Sequence, residues 1–277
     1  MTPFETFASL VEAEREESLP LLKVVAYLAQ YADGDFDPDA TVACVRNWCT
    51  QLRERMAADT STLNRLRLLN HFFFEELGFK GDRESYDAVD NNYLHRVIER
   101  RCSIPISLAV LYLEIGRAIG LKLFGVSFPG HFLVKLLRAD ASLFIDVFDG
   151  GKTLAAEELR RRLDAASRGR AEYPLEMYLR AASDRAILVR WLRNLKAAHA
   201  RKEDWPALLE VLNRLILLLP DDAQERRDRA AVFERLECPR GAADDLAAYL
   251  SITPDPPDAS EVRVRLAQIQ RVARQLN

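Results

Sequence analysis

Most of the chain spaces its apolar residues as helices do, and residues 122 to 148 change to short apolar runs, so any sheet must be small and set among helices. From Pro3 to about Phe79 the spacing is that of helices. Leu21, Leu22, Val24, Val25, Leu28 and Ala29 recur at three and four residues, as do Val42, Val45, Trp48, Cys49 and Leu52, and then Leu63, Leu66, Leu69, Phe72, Phe73 and Leu77. Asp37-Pro38-Asp39 and Asp59-Thr60-Ser61 offer polar starts for the third and fourth helices. Residues 80–91 hold turn formers without a period and read as an ordered loop, followed by a short helix from Tyr93 to about Arg101. Pro105 opens a longer helix, Ile106 to Ile119, where its missing N–H is harmless, and Gly120 ends it as a left-handed cap. Lys122–Phe128, Phe132–Leu137 and Leu143–Phe148 are short apolar runs separated by Pro129-Gly130 and by the polar tip Arg138-Ala139-Asp140, the pattern of a small antiparallel sheet. Asp149-Gly150-Gly151 closes it, and Ala155 to about Leu163 returns to helix. The fold class is α+β and predominantly helical.

The last third carries a second period. Leu219-Pro220-Asp221 recurs as Thr253-Pro254-Asp255, 34 residues on, each proline ending an amphipathic helix preceded by another. That offset is the signature of tetratricopeptide helix pairs. Twelve residues before each proline, where the repeat favours a small side chain, stand Leu208 and Ala242; the second copy conforms and the first does not. Two repeats are too few to stack alone, so a helix from Glu261 to Leu276 is expected to cap one side and the first domain to cover the other. The chain thus divides into an N-terminal helical part of the first domain (1–79), a core (80–170) and a repeat module with its capping helix (180–277).

Composition narrows the partners. With 277 residues, 49% hydrophobic and 29% charged, the chain can bury a real core. Its net charge of −3 argues against nucleic acid and anionic membranes, which select clustered Lys and Arg. The run Arg160-Arg161-Arg162 to Arg168-Gly169-Arg170 reads as a solvated helix end. No run of about 18 apolar residues occurs and the first residues lack a signal pattern, so a cytoplasmic location is expected. Cys44, Cys49, Cys102 and Cys238 have no metal-ligand spacing; free thiols, no metal and no cofactor are the expectation. The oligomeric state stays open.

Chemistry gathers at Phe128-Pro129-Gly130-His131-Phe132, where an imidazole stands at the mouth of an apolar strand and is either a catalyst or a hydrogen-bonded fixture. A general base needs an orienting acid. Asp146 lies 15 residues on, among Phe144, Ile145, Val147 and Phe148, where an unpartnered carboxylate would cost several kcal/mol. If the loop at Arg138–Ala141 leaves an even number of residues unpaired, parity puts His131 and Asp146 on one face. A turn-capping role for Asp146 is the alternative. A thiol at a helix start would complete a Cys-His-Asp arrangement, and Cys102 approaches the Pro105 helix but falls two or three residues early. Ser103 reads as an N-cap and Ser107 as a backbone-bonded helix residue. Tyr86, Asp87, Asn91, Asn92 and His95 either line a pocket wall at His131 or, for Asn91 and Asn92, cap the Tyr93 helix.

Gly78 to Leu94, Ile104-Pro105-Ile106-Ser107-Leu108 to Glu114, Gly125 to Val134 and Asp146 to Gly151 together resemble the bacterial SirB-type family, in which a transglutaminase-like core precedes tetratricopeptide repeats. The likeness spans nearly the whole chain. It implies a papain-like core in which His131 and Asp146 match the His and Asp of active relatives, while Pro105 stands where those have the nucleophilic Cys. Val147 replaces the proline usual after the Asp, and Cys102-Ser103 replace a basic residue and Gly. Two readings follow. One is a non-catalytic, regulatory type of protein that binds a protein or peptide through its repeats, with Pro105, Ser107, Tyr86, Asn91 and Asn92 around a residual pocket. The other is a cysteine-dependent acyltransferase or hydrolase using Cys102, His131 and Asp146; fold alone does not license it.

Overall fold

In the computed structural model, which describes residues 2–12, 19–30, 36–139 and 141–275, the chain divides into Ser9–Trp191 and a second unit of Leu192–Asn277 together with Met1–Ala8. Asp140, at the expected hairpin tip, and Leu276, the expected last helical residue, lie outside the described residues.

The larger unit begins with helices α1 (Pro3–Glu12, which enters it at Ser9), α2 (Leu21–Tyr27), α3 (Pro38–Glu54) and α4 (Thr62–Asn70). The Asp37 carboxylate accepts the Asp39 and Ala40 N–H groups at the start of α3, and Ser61 Oγ that of Asn64 at the start of α4. A π-helical turn, His71–Glu76, extends α4 and buries Phe72 and Phe73. Phe73 stacks on Phe79 with centroids 4.7 Å apart and meets Tyr112 edge-on at 5.4 Å. Two-residue strands β1 (Lys80–Gly81), at the start of the stretch read as loop, and β2 (Cys102–Ser103), just after the short helix, pair in parallel; both are too short to show a period. Between them lie a 3-10 turn, Val89–Asn92, and α5 (Leu94–Arg100).

Helix α6 (Pro105–Ala118) is apolar all round and buries eleven of its fourteen residues, as a central helix must. Gly120, at φ +79°, reverses the chain into β3 (Leu123–Val126). β4 (Leu133–Leu137), β5 (Ser142–Asp146) and β6 (Lys152–Leu154) follow in an antiparallel sheet of order β3-β4-β5-β6. The fourth strand lies beyond the Gly150-Gly151 turn, where sequence reading closed the sheet. Val126, Phe128 and Leu133 pack with Leu159 and Leu163 of α7 (Ala156–Ser167) and Leu175 of α8 (Leu175–Tyr178).

Helix α9 (Asp184–Lys202) contains the boundary between the units. After it come α10 (Trp205–Leu218), α11 (Ala223–Arg235), α12 (Pro239–Ile252) and α13 (Ala259–Gln275). The α11–α12 pair and α13 share a core of Ala230, Ala242, Leu246, Tyr249, Val262 and Ile269. Ala242 is fully buried, and a Cβ on neighbouring Gly241 would lie 3.0 Å from the Phe233 ring, so the helices approach closely where the repeat demands it. Residues 2–8, which sequence reading assigned to the helical part of the first domain, group with these helices. Arg214 stands over the rings of Phe4 and Phe7 at 5.8 and 5.5 Å. No helix among the described residues is long and apolar enough to cross a membrane.

Candidate functional site

Phe128 to His131 form a tight turn closed by a 3.1 Å bond from the His131 N–H to the Phe128 carbonyl. Pro129 presets its first central residue, and Gly130 supplies the positive φ, +68°, that a type II turn requires. The β4–β5 register pairs Val134 with Ile145 and Leu137 with Ser142, so residues 138–141, an even number, stay outside the ladder. His131 therefore lies diagonal to Asp146 on the same face, and its Nε2 is 2.8 Å from Asp146 Oδ1.

Asp146, 2% exposed, has donors on both of its carboxylate oxygens. Oδ1 also accepts the N–H groups of Phe148 at 3.2 Å and Asp149 at 3.3 Å, and Oδ2 takes Arg162 Nη1 at 2.7 Å. The imidazole partner and the turn cap, alternatives by sequence, coexist. Burial is the largest influence on this carboxyl and raises its pKa, but the hydrogen bond and charge of His131, then those of Arg162, together bring it below the usual carboxylate range. An ionised Asp146 only accepts, so Nε2 of His131 is the donor in this bond. Nδ1 makes no hydrogen bond among the described residues.

Two arginines complete this geometry, and sequence reading missed both. Arg162, read as part of a solvated helix end, turns inward to Asp146 and is steadied by Glu158 at 2.9 Å. The available signal was its position three residues after Leu159 and next to Leu163, on the edge of the buried stripe of α7. Arg190 gives Nη1 to the Phe128 carbonyl at 2.9 Å and Nη2 to the His131 carbonyl at 2.7 Å, holding both ends of the turn. Nothing local in the sequence marks it.

The start of α6 is arranged otherwise than expected. Pro105 is its first residue and is buried, and Ile104 precedes it without a side-chain cap. Ser103 is not the cap: its Oγ and that of Ser107 both donate to the Asn91 carbonyl at 2.6 Å. Asn91 and Asn92 do not cap α5 either, because Tyr93 occupies that position with no side-chain bond. Asn91, fully buried, donates to the Ser85 and Tyr86 carbonyls and accepts from Arg100, tying the loop to the helix start. The Asn92 carbonyl accepts Trp191 Nε1 at 2.9 Å.

Phe148 is the hub that joins the remaining candidates. Its ring stands edge-on to His131 at 6.0 Å and to Tyr86 at 5.9 Å, with Arg83 over it at 5.2 Å. Gly81 permits this, since a Cβ there would fall 2.6 Å from the Phe148 carbonyl oxygen. Half-buried Cys102 lines a cleft of about 490 Å³ with Lys80, Arg83, Arg100 and Phe148. Among the residues singled out from sequence, His131 and Asp146 meet directly. Tyr86 and Cys102 connect to them by way of Phe148, and Pro105, Ser107 and Asn91 form a cluster of their own.

A model of the transglutaminase-like superfamily matches residues 40–193, and a tetratricopeptide repeat model matches 195–267. A UPF0162 protein of Xylella fastidiosa strain Temecula1 is 35% identical over 256 residues, 92% of this chain and 91% of its own length. One from Vibrio cholerae is 29% identical over 195 residues, 70% of this chain and 72% of the relative. F-box only protein 21 of Homo sapiens is 30% identical over 175 residues, 57% of this chain but 26% of that protein. No solved structure matches the chain.

Proposed function

The chain belongs to the transglutaminase-like superfamily, as a SirB-type member with tetratricopeptide repeats, and from that premise we propose that it is a non-catalytic protein binding a protein or peptide partner through the repeats. The observation that carries this reading is the chemistry at the start of α6. The residue there is Pro105, which has no nucleophile, and the hydroxyls on either side of it are committed to the Asn91 carbonyl. The His131–Asp146 pair then acts as a fixture of the sheet, and the helix pairs supply the extended surface for the partner.

Crosslinking of the full chain in bacterial cells tests it. Crosslinks to other proteins should fall mainly within α9 to α13; a distribution confined to residues 9–183 would overturn the assignment of binding to the repeats. A second reading keeps Cys102 as nucleophile, favoured by its half-exposed thiol in a cleft whose wall, Phe148, meets His131. Site-resolved iodoacetamide labelling against pH separates the two. Reactivity well below an ordinary thiol pKa of about 8.5, lost in His131→Ala, would support the enzyme; ordinary reactivity independent of His131 supports the binding protein.

A further inference from the structure

The arginines around His131 are not equivalent. Arg162 has Asp146, Arg83 has Asp149 and Arg100 has Asp82, each at 2.7 or 2.8 Å. Half-buried Arg190 makes no ion pair among the described residues. Two of its five N–H groups go to the Phe128 and His131 carbonyls, and the Phe132 ring lies 5.7 Å from the guanidinium carbon. Carbonyl dipoles soften the burial of a cation but do not neutralise it, so a full positive charge stands uncompensated beside the turn.

The groups next to that charge keep polar atoms without hydrogen bonds among the described residues. Tyr86 is 45% exposed and its hydroxyl makes no hydrogen bond among the described residues. Burial raises the Tyr86 phenol, while the charge of Arg190 opposes the rise and that of exposed Asp87 adds to it, which makes Arg190 an electrostatic neighbour of the ring. Tyr86 and His131 both stand edge-on to Phe148, and His131 leaves Nδ1 unused.

We propose that Arg190, Tyr86 and His131 form a binding site for a carboxylate carried on an apolar body. One uncompensated cation matches a monoanion, whereas a phosphate dianion would leave surplus negative charge. The planar guanidinium has three N–H groups left, and an edge of two suits a carboxylate. The Tyr86 hydroxyl adds a donor, and the Phe148 and Tyr86 rings supply the apolar wall. The site lies in the core unit and does not depend on what the repeats hold.

The carboxylate belongs to a small organic acid or to a peptide C-terminus, and one titration distinguishes them. The His131 imidazole signal of the full chain is followed by NMR at constant ionic strength, with benzoate against benzamide and N-acetylphenylalanine against its amide. Both acids should give saturable shifts and both amides none; markedly tighter N-acetylphenylalanine assigns the site to peptide C-termini, and equal or tighter benzoate to small acids. Tyr86→Phe should weaken binding about tenfold, the effect of losing one hydrogen bond to a charged group, and Arg190→Gln should abolish it. Absence of a saturable shift with either acid, equal shifts with the amides, or wild-type affinity in Tyr86→Phe would overturn the proposal. Tyr86→Phe alters an exposed ring and stays informative if Arg190→Gln does not fold.

Discussion

Asp146 shows how a single buried charge comes to depend on several partners. Its carboxylate is stabilised by His131, Arg162 and two backbone N–H groups, so Asp146→Asn should cost about 2 to 3 kcal/mol by denaturant unfolding. The pH dependence follows from the depressed pKa of the folded state. The carboxylate's contribution is complete above the ordinary value of 3.8 and is lost as pH falls through the lower folded value, because below 3.8 the unfolded chain binds the proton first. Wild type should therefore lose stability more steeply than Asp146→Asn below about pH 4; parallel acid limbs would contradict the assignment. Ser103 and Ser107 make a second residue-scale case. Each alanine substitution should cost about 1 kcal/mol, but the double variant should exceed the sum by about 1 kcal/mol, since only then is the buried Asn91 carbonyl left without a donor. A strictly additive cycle would mean that the carbonyl finds another partner. The contact between His131 and Asp146 was legible from parity and from the cost of an isolated carboxylate, both local arguments. Arg190 was not, because its partners are backbone carbonyls 59 and 62 residues away and carbonyls carry no sequence signal.

Elements long enough to show a period were readable, and short ones were not. Helix α6 and the three apolar runs of the sheet announce themselves, whereas β1, β2 and β6 have two or three residues each and exist because neighbouring elements hold them in register. Helix junctions are a similar case. The α9–α10 turn is held by His199, which is 3% exposed and bonds through Nδ1 to Asp204 at 3.1 Å, while Asp204 caps α10 by accepting the Ala207 N–H. Burial lowers the His199 pKa below its ordinary 6.5, against the opposing charge and hydrogen bond of Asp204. The folded state thus keeps His199 neutral where the unfolded chain protonates it, and stability present above pH 6.5 is lost as pH falls through the depressed value. Hydrogen exchange of α9 and α10 amides should show protection falling between pH 7 and pH 5 in wild type, more steeply than in His199→Gln. Equal slopes would remove His199 as the cause.

At the scale of the whole chain, the boundary between units is the feature least visible in the sequence. It falls inside α9, where Ile187, Leu188, Trp191, Leu192 and Leu195 are all fully buried and keep one unbroken helical period across it. An apolar stripe reports that a helix is buried but not by which core, so composition and spacing do not change at the junction. The same limit applies to the first residues. Pro3 to Glu12 has an ordinary amphipathic pattern, and nothing in it tells that Phe7, 1% exposed, lies under the Arg214 guanidinium of α10 and groups with the repeats. Phe7→Ala should open a cavity there and cost about 3 to 4 kcal/mol, a loss confined to the second unit. Residue-resolved hydrogen exchange should then show weakened protection in α10 to α12 with that of β3 to β5 unchanged. The reverse, with the strands weakened and the helices intact, would place Phe7 in the other core, and the second unit would then have to cover the face of α10 around Arg214 without residues 2–8.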